Sequence, residues 1–168
     1  PARPYPPSVG TPDLLDAVVG WCGRRLGVDL DHDQVGACVG TKELVTGLPH
    51  LLRLRRPERD TVLYPALAYP SYEMGAVLAG CRAVPVPLDA SWRIDLSAIR
   101  DEDAARALCL WVNTPGNPAG ALDDLGAAAA WGRARGVPVV SDECYVEFIW
   151  SGPPRSILQH GSDGVLAV

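Results

Sequence analysis

Apolar runs of five or six residues alternate with amphipathic stretches along this chain. The clearest runs lie at 107–112 and 137–141, where nearly every side chain is apolar. Strands of this kind are typical of parallel sheets, because helices cover both faces of such a sheet and leave no polar face. The pattern therefore predicts an α/β fold of three layers, with a mostly parallel sheet between two layers of helices.

The capping residues and the spacing of the apolar residues locate the predicted helices and strands. Thr11, Pro12 and Asp13 combine a capping hydroxyl, a proline suited to the first helical position and an acid in the first turn, which predicts a helix start. Gly27 is expected to end that helix. The other predicted elements are helices at 41–51, 70–79, 95–100 and 123–135 and strands at 61–64, 82–86, 107–112, 137–141 and 164–168.

The charge balance and the cysteines restrict the classes of partner. A net charge of −5 and a pI near 5.1 are unfavourable for binding nucleic acid or an anionic membrane, because both need clustered cations. No run of about 18 apolar residues is present, so no membrane span is expected. The five cysteines include no C-x-x-C pair, which is unfavourable for a disulfide framework or a zinc site. These features predict a cytoplasmic protein without a metal.

Two predicted helix starts are candidate ligand sites. Gly40, Thr41 and Lys42 form a glycine turn that opens into a helix, and the free N–H groups of such a turn can bind a phosphate. The same residues would also serve as an ordinary helix cap. Tyr69 precedes the next helix and could lie against a planar ring, or it could fill the boundary between core and loop.

Two predicted strand ends carry polar side chains. The loop after the third strand contains Asn113 and Asn117, which nearby prolines hold in defined poses. That loop suits either hydrogen bonding to a ligand or a rigid turn. The fourth strand leads into Asp142 and, three residues later, Tyr145. A carboxylate at that depth needs a partner cation, which could belong to a ligand or a metal, unless the acid caps a helix.

Taken in order, these segments resemble the fold-type I aminotransferases of class I and II, which use pyridoxal 5'-phosphate (PLP). The run Asn-Thr-Pro-Gly-Asn-Pro-Ala-Gly at 113–120 is similar to the N-x-P-x-N-P-[TA]-G loop of that group. Ser-Asp-Glu-Cys-Tyr at 141–145 is similar to its S-D-E-x-Y strand end, and Gly-Thr-Lys-Glu at 40–43 lies upstream of both. The resemblance covers essentially the whole chain and implies the large domain of the PLP-dependent transferase fold.

The resemblance also implies how the two helix starts act. Gly40, Thr41 and Lys42 are expected to bind the cofactor phosphate, mainly through backbone N–H groups, and Tyr69 is expected to stack on the pyridine ring. Tyr5, in Tyr-Pro-Pro-Ser-Val-Gly, matches a tyrosine that reaches the phosphate of the partner subunit. A homodimer is therefore implied.

The strand ends are expected to contact the other side of the cofactor ring. By the same resemblance, Asn117 and Tyr145 hydrogen-bond the phenolic oxygen. Asp142 pairs with the protonated ring nitrogen, which makes the ring an electron sink. Asp142 and Tyr145 are therefore the expected catalytic residues of this chain.

Lys42 is the only lysine of the chain. Its implied place beside the phosphate puts it at the wrong end of the cofactor to form the Schiff base of the family. In that group an S-x-S-K-type segment supplies the lysine, shortly after the strand that here begins at Gly164. Residues 1–168 are therefore expected to be the central part of the PLP-binding large domain. The N-terminal arm, the Schiff-base lysine segment and the C-terminal small domain are expected to be absent, and the chain alone to be inactive.

Within this group, Ala-Tyr-Pro-Ser-Tyr-Glu at 68–73 and Leu-Trp-Val-Asn-Thr-Pro at 110–115 most resemble the succinyldiaminopimelate aminotransferases. That resemblance implies that an amino group is transferred between the amino acid glutamate and a keto acid. The implied keto acid is N-succinyl-2-amino-6-oxopimelate, an intermediate of lysine biosynthesis. Two other functions share these motifs. One is an aminotransferase-like effector domain of a transcriptional regulator, and the other is a PLP-dependent carbon–sulfur lyase.

Overall fold

The computed structural model describes residue 5 and residues 7–168, and within these residues it has one five-stranded sheet flanked by helices. The strands are β1 (Thr61–Pro65), β2 (Arg82–Val86), β3 (Ala107–Asn113), β4 (Val139–Asp142) and β5 (Val165–Ala167). The α-helices are α1 (Pro12–Trp21), α2 (Thr41–Arg55), α3 (Ser71–Leu78), α4 (Asp101–Arg106) and α5 (Leu125–Arg135).

All neighbouring strands of the sheet are parallel, in the order β2-β1-β3-β4-β5. The central strands β1 and β3 are buried along their whole length, as expected for a sheet that is covered on both faces. Parallel neighbours end at the same edge, and the register pairs Asn113 with Asp142 at the carboxyl ends of β3 and β4. The sheet therefore places the polar residues Asn113 and Asp142 side by side at the ends of two apolar strands.

Each face of the sheet has its own apolar cluster. From Cys109 to Val112, the residues of β3 alternate between the two, because successive side chains of a strand point to opposite faces. Leu110 belongs to the cluster that contains Ala128 of α5. Trp111 belongs to the opposite cluster, which contains Val45 of α2 and Tyr72 of α3. The predicted three-layer α/β fold is confirmed.

The prediction of a helix at 95–100 is wrong. The chain there forms a single 3-10 turn at Leu96–Ala98, in which the Asp95 carboxylate accepts the N–H of Ser97 at 3.0 Å. The α-helix follows at Asp101–Arg106, which was not predicted. It is too short to show an apolar period, and its one buried carboxylate, Asp103, is compensated by an ion pair with Arg82.

The first helix continues beyond α1 as a π-helical turn at Cys22–Leu26, and Gly27 ends it as predicted. Other boundaries differ from the predictions by one to four residues. Helix α5 begins at Leu125 because the Asp124 side chain caps it, accepting the N–H of Ala127 at 2.8 Å. Strand β4 begins at Val139 because the Val137 N–H is used to close the end of α5. In the part of the chain that the structure describes, no helix is both long and apolar enough to span a membrane.

Candidate functional site

A cavity of about 250 Å³ lies where the carboxyl ends of β3 and β4 meet the start of α2 and α3. This is the edge at which parallel α/β sheets bind ligands, because loops and helix N-termini converge there. Its lining combines acidic, amide, phenolic, cationic and thiol side chains. The lining residues are Thr41, Lys42, Val45, Tyr69, Ser71, Tyr72, Asn113, Asn117, Asp142, Cys144 and Tyr145.

Asp142 provides the carboxylate of the cavity. Its Oδ2 accepts a hydrogen bond from the Tyr72 hydroxyl at 2.7 Å, and its Oδ1 accepts the backbone N–H of Cys144 at 3.3 Å. Its main-chain oxygen accepts the side-chain amide of Asn113 at 2.9 Å. The carboxylate is thus held by groups from α3 and from the turn after β4, while the end of β3 holds the main chain of Asp142.

The loop after β3 is organised by Asn113, which is nearly fully buried. The Oδ1 atom of this side chain accepts the backbone N–H of Asn117 at 2.8 Å. The side-chain amide of Asn117 donates to the Tyr145 hydroxyl at 3.3 Å. An amide and a phenol therefore lie side by side at the cavity, where both can donate to one ligand oxygen.

The start of α2 provides the cationic part of the cavity. Thr41 and Lys42 line it, while Gly40 is the capping residue just outside the lining. Among the described residues, no side chain caps this helix, so its first N–H groups are available to a ligand. The Lys42 Nζ lies 5.5 Å from the centroid of the exposed Tyr69 ring, which is a cation–π distance.

Seven of the eight residues predicted for the site lie at or beside this cavity. The eighth, Tyr5, is 99% exposed and is not part of the lining. The structure therefore does not bring Tyr5 to the cavity of its own chain.

Tyr72 and Cys144 were missed as site residues. Tyr72 is 1% exposed, and burial together with the neighbouring Asp142 raises the pKa of its phenol well above the usual value. Burial and Asp142 raise the pKa of the Cys144 thiol to about 12. Both groups therefore keep their protons at neutral pH. A signal for Tyr72 was present, since it follows Tyr69 by three residues at the start of a helix.

Glu143, the second acid of the strand end, lies apart from the cavity. Its side chain is buried, and its Oε1 accepts the backbone N–H of Ile157 at 2.8 Å. Burial raises the pKa of this carboxyl, although the hydrogen bond from Ile157 acts in the opposite direction. Adjacent acids thus have different surroundings, and only Asp142 lines the cavity.

Residues 1–168 match the family model of aminotransferase class I and II, and the chain belongs to that family. It is similar to the 4-dedimethylamino-4-oxo-anhydrotetracycline transaminase of Streptomyces rimosus, with 40% identity over 98% of this chain and 45% of that protein. It is also similar to an LL-diaminopimelate aminotransferase of Desulforudis audaxviator, with 38% identity over 92% of this chain and 41% of that protein. The chain thus spans less than half the length of these relatives.

A solved structure with a similar fold is that of a probable N-succinyldiaminopimelate aminotransferase of Thermus thermophilus. The TM-score is 0.80 and the identity is 31%, over 91% of this chain and 42% of that chain. The resemblance to the class I and II aminotransferases that the motifs indicated is therefore confirmed.

Membership in this family implies PLP as the cofactor, and the chemistry of the cavity fits that group. The Asp142 carboxylate suits a protonated ring nitrogen. The paired donors of Asn117 and Tyr145 suit a phenolic oxygen, and the free N–H groups beside Thr41 suit a phosphate. The acid, the donors and the helix start line one cavity.

Proposed function

We propose that the protein containing this chain is a PLP-dependent aminotransferase that transfers an amino group between glutamate and a keto acid. The observation that carries this proposal is the position of Asp142. Its carboxylate lines the same cavity as the Asn117–Tyr145 donor pair and the uncapped start of α2. Family membership supports the reaction class.

Six of the cavity residues have a role in the proposal. Asp142 keeps the pyridine nitrogen protonated, while Asn117 and Tyr145 donate hydrogen bonds to the phenolic oxygen. Thr41 and Lys42 bind the phosphate, and Tyr69 stacks on the ring. When bound, PLP supplies an electron sink for the charge released at the substrate α-carbon.

Asp142 is the residue on which the reaction depends most. A carboxylate beside the pyridine nitrogen favours the protonated ring, because an opposite charge within a few ångströms stabilises the cation. Asp142 is half-buried, and its carboxylate accepts hydrogen bonds from Tyr72 and from the backbone of Cys144, so its orientation at the cavity is defined. Tyr145 orients the phenolic oxygen from the neighbouring loop.

For the amino acceptor we propose N-succinyl-2-amino-6-oxopimelate, an intermediate of lysine biosynthesis. The diaminopimelate aminotransferases among the relatives support this choice, as does the similarity to the Thermus thermophilus structure. A polycyclic ketone is the second candidate, because a tetracycline-pathway transaminase is 40% identical over 98% of the chain.

Three further points belong to the same proposal. Residues 1–168 form the central part of the PLP-binding domain, and the lysine that binds the cofactor covalently lies elsewhere in a longer protein. The short coverage of every relative described above supports this division.

The protein is a cytoplasmic homodimer in which Tyr5 reaches the partner subunit's phosphate. Its five free cysteines suit a reducing compartment.

An absorbance spectrum of the full-length protein tests the proposal. With PLP added, a band of bound cofactor should appear, and addition of glutamate should shift it. Turnover assays with N-succinyl-diaminopimelate, diaminopimelate and a polycyclic amine, each with 2-oxoglutarate, then identify the substrate. The absence of any cofactor band would contradict the proposed cofactor, and a band that glutamate leaves unchanged would contradict transamination.

A further inference from the structure

We propose that Tyr72 is a positioning residue, whose hydroxyl fixes the Asp142 carboxylate in the orientation that meets the cofactor ring nitrogen. The inference rests on the proposed function, since it assumes that Asp142 faces PLP. Tyr72 itself is assigned no contact with the cofactor. It acts through Asp142.

The tyrosine ring is held rigidly. Tyr72 is 1% exposed, and its ring packs on that of Trp111, with 5.2 Å between centroids and a tilt of 37°. Trp111 is fully buried in the centre of β3. A phenol that is fixed in this way loses little further freedom when it forms a hydrogen bond, so its hydroxyl can orient a neighbouring group.

Among the described residues, two groups donate to the Asp142 carboxylate, and the bond from Tyr72 is the shorter. The Tyr72 hydroxyl lies 2.7 Å from Oδ2, whereas the Cys144 N–H lies 3.3 Å from Oδ1. A carboxylate has about four lone-pair sites, so two donors leave room for a third. The third donor in this arrangement is the protonated ring nitrogen.

The chemical character of the donor matters as much as its position. Tyr72 is neutral, so it orients the carboxylate without neutralising its charge. An Arg or Lys at this place would form an ion pair with Asp142 and would compete with the cationic ring nitrogen. Because burial and Asp142 favour the protonated phenol, Tyr72 stays a hydrogen-bond donor at working pH.

The test compares two cofactors in the full-length protein with Tyr72→Phe. One is PLP, and the other is its 1-deaza analogue, in which a C–H group replaces the ring nitrogen. Phenylalanine fills nearly the same space, so only the hydroxyl is lost. We expect the Kd for PLP to rise about tenfold, as for the loss of one hydrogen bond to a charged group. The Kd for the analogue should stay the same, because Asp142 has no nitrogen to pair with.

Tyr64→Phe is the matched control. Tyr64 is a buried tyrosine of the same apolar cluster, and among the described residues the hydrogen bonds to the Asp142 carboxylate come from Tyr72 and Cys144. This variant should bind both cofactors as the wild type does. In an Asp142→Asn background, Tyr72→Phe should weaken PLP binding by clearly less than tenfold.

The outcomes separate the inference from the function. Equal weakening of PLP and the analogue, or no weakening of either, would overturn the role of Tyr72 while leaving the proposed function intact. A wild-type protein that binds neither cofactor would overturn the proposed function, and the role of Tyr72 with it. Retained binding of the analogue by Tyr72→Phe also shows that the variant is folded.

Discussion

Asn113 and Asp142 are paired in register at the carboxyl ends of neighbouring parallel strands, and the Asn113 side chain donates to the Asp142 main-chain oxygen at 2.9 Å. The same side chain accepts the N–H of Asn117. One amide therefore connects the strand end that carries the acid to the loop that carries the Asn117 donor. Its burial protects both bonds from water.

Replacement of Asn113 by Ala should destabilise the protein by about 1–3 kcal/mol, because two buried hydrogen-bonding groups lose their partner. PLP affinity should fall as well, since Asn117 is no longer held. Asn117→Ala is the comparison. It removes only a side-chain contact to Tyr145 at 3.3 Å, so it should weaken PLP binding with little loss of stability. Thermal midpoints and PLP titrations measure both effects, and an equal loss of stability in the two variants would contradict this account.

Replacement of Lys42 by Ala should raise the Kd for PLP about tenfold, because one charge-assisted contact to the phosphate is lost. The Kd for pyridoxal, which has no phosphate, should hardly change. Arg55→Ala removes the same charge from the last turn of α2, away from the cavity, and serves as the control. Similar losses for the two ligands, or for the two variants, would argue against a phosphate contact at Lys42.

Glu143 should make the stability of the protein depend on pH. Burial raises the pKa of this carboxyl above its ordinary value of 4.5. In the pH interval between 4.5 and the raised pKa, the folded state therefore binds more protons than the unfolded state. Stability therefore falls as the pH rises through that interval. Each unit of difference corresponds to about 1.4 kcal/mol.

Glu143→Gln removes this titration while keeping an oxygen that accepts the Ile157 N–H. The thermal midpoint of the variant, relative to that of the wild type, should therefore increase as the pH rises above 4.5 and then level off. Other acids, such as Asp123, titrate in both proteins and cancel in the difference. A difference that is independent of pH would show that Glu143 does not titrate as described.

Asp142→Ala in the full-length enzyme should lower kcat on the order of 100-fold or more, as for the loss of a preorganised electrostatic partner. The overall fold should remain, because the backbone contact to Asn113 does not need the side chain. Asp124→Asn is the control, since it changes an exposed helix cap to another good capping residue. Turnover assays and circular dichroism test this, and normal turnover in Asp142→Ala would be incompatible with the proposed role.

The sequence was sufficient to predict the layers, the strands and the meeting of Asn117, Asp142 and Tyr145. Strands that are apolar throughout imply a covered parallel sheet, and the strand ends then meet at one edge. The contact between Tyr72 and Asp142 could not be predicted in this way. It joins residues that are 70 positions apart, and it depends on how α3 packs against the sheet, which periodicity does not specify.

Helix α4 was not predicted, for a different reason. Helix α4 has six residues and begins with three acids, so no apolar stripe marks it. Its place depends on ion pairs with distant residues, since Asp103 pairs with Arg82 and Arg106 pairs with Asp60. The role of Tyr5 stays a prediction, because the expected contact belongs to a partner subunit.

The central claim is that Asp142 pairs with the ring nitrogen of PLP, and ¹⁵N NMR of the full-length protein with PLP labelled at that nitrogen tests it most directly. The chemical shift should be that of a protonated pyridine in the wild type and should move toward the unprotonated value in Asp142→Ala. An unprotonated nitrogen in the wild type, or the same shift in both proteins, would contradict the claim.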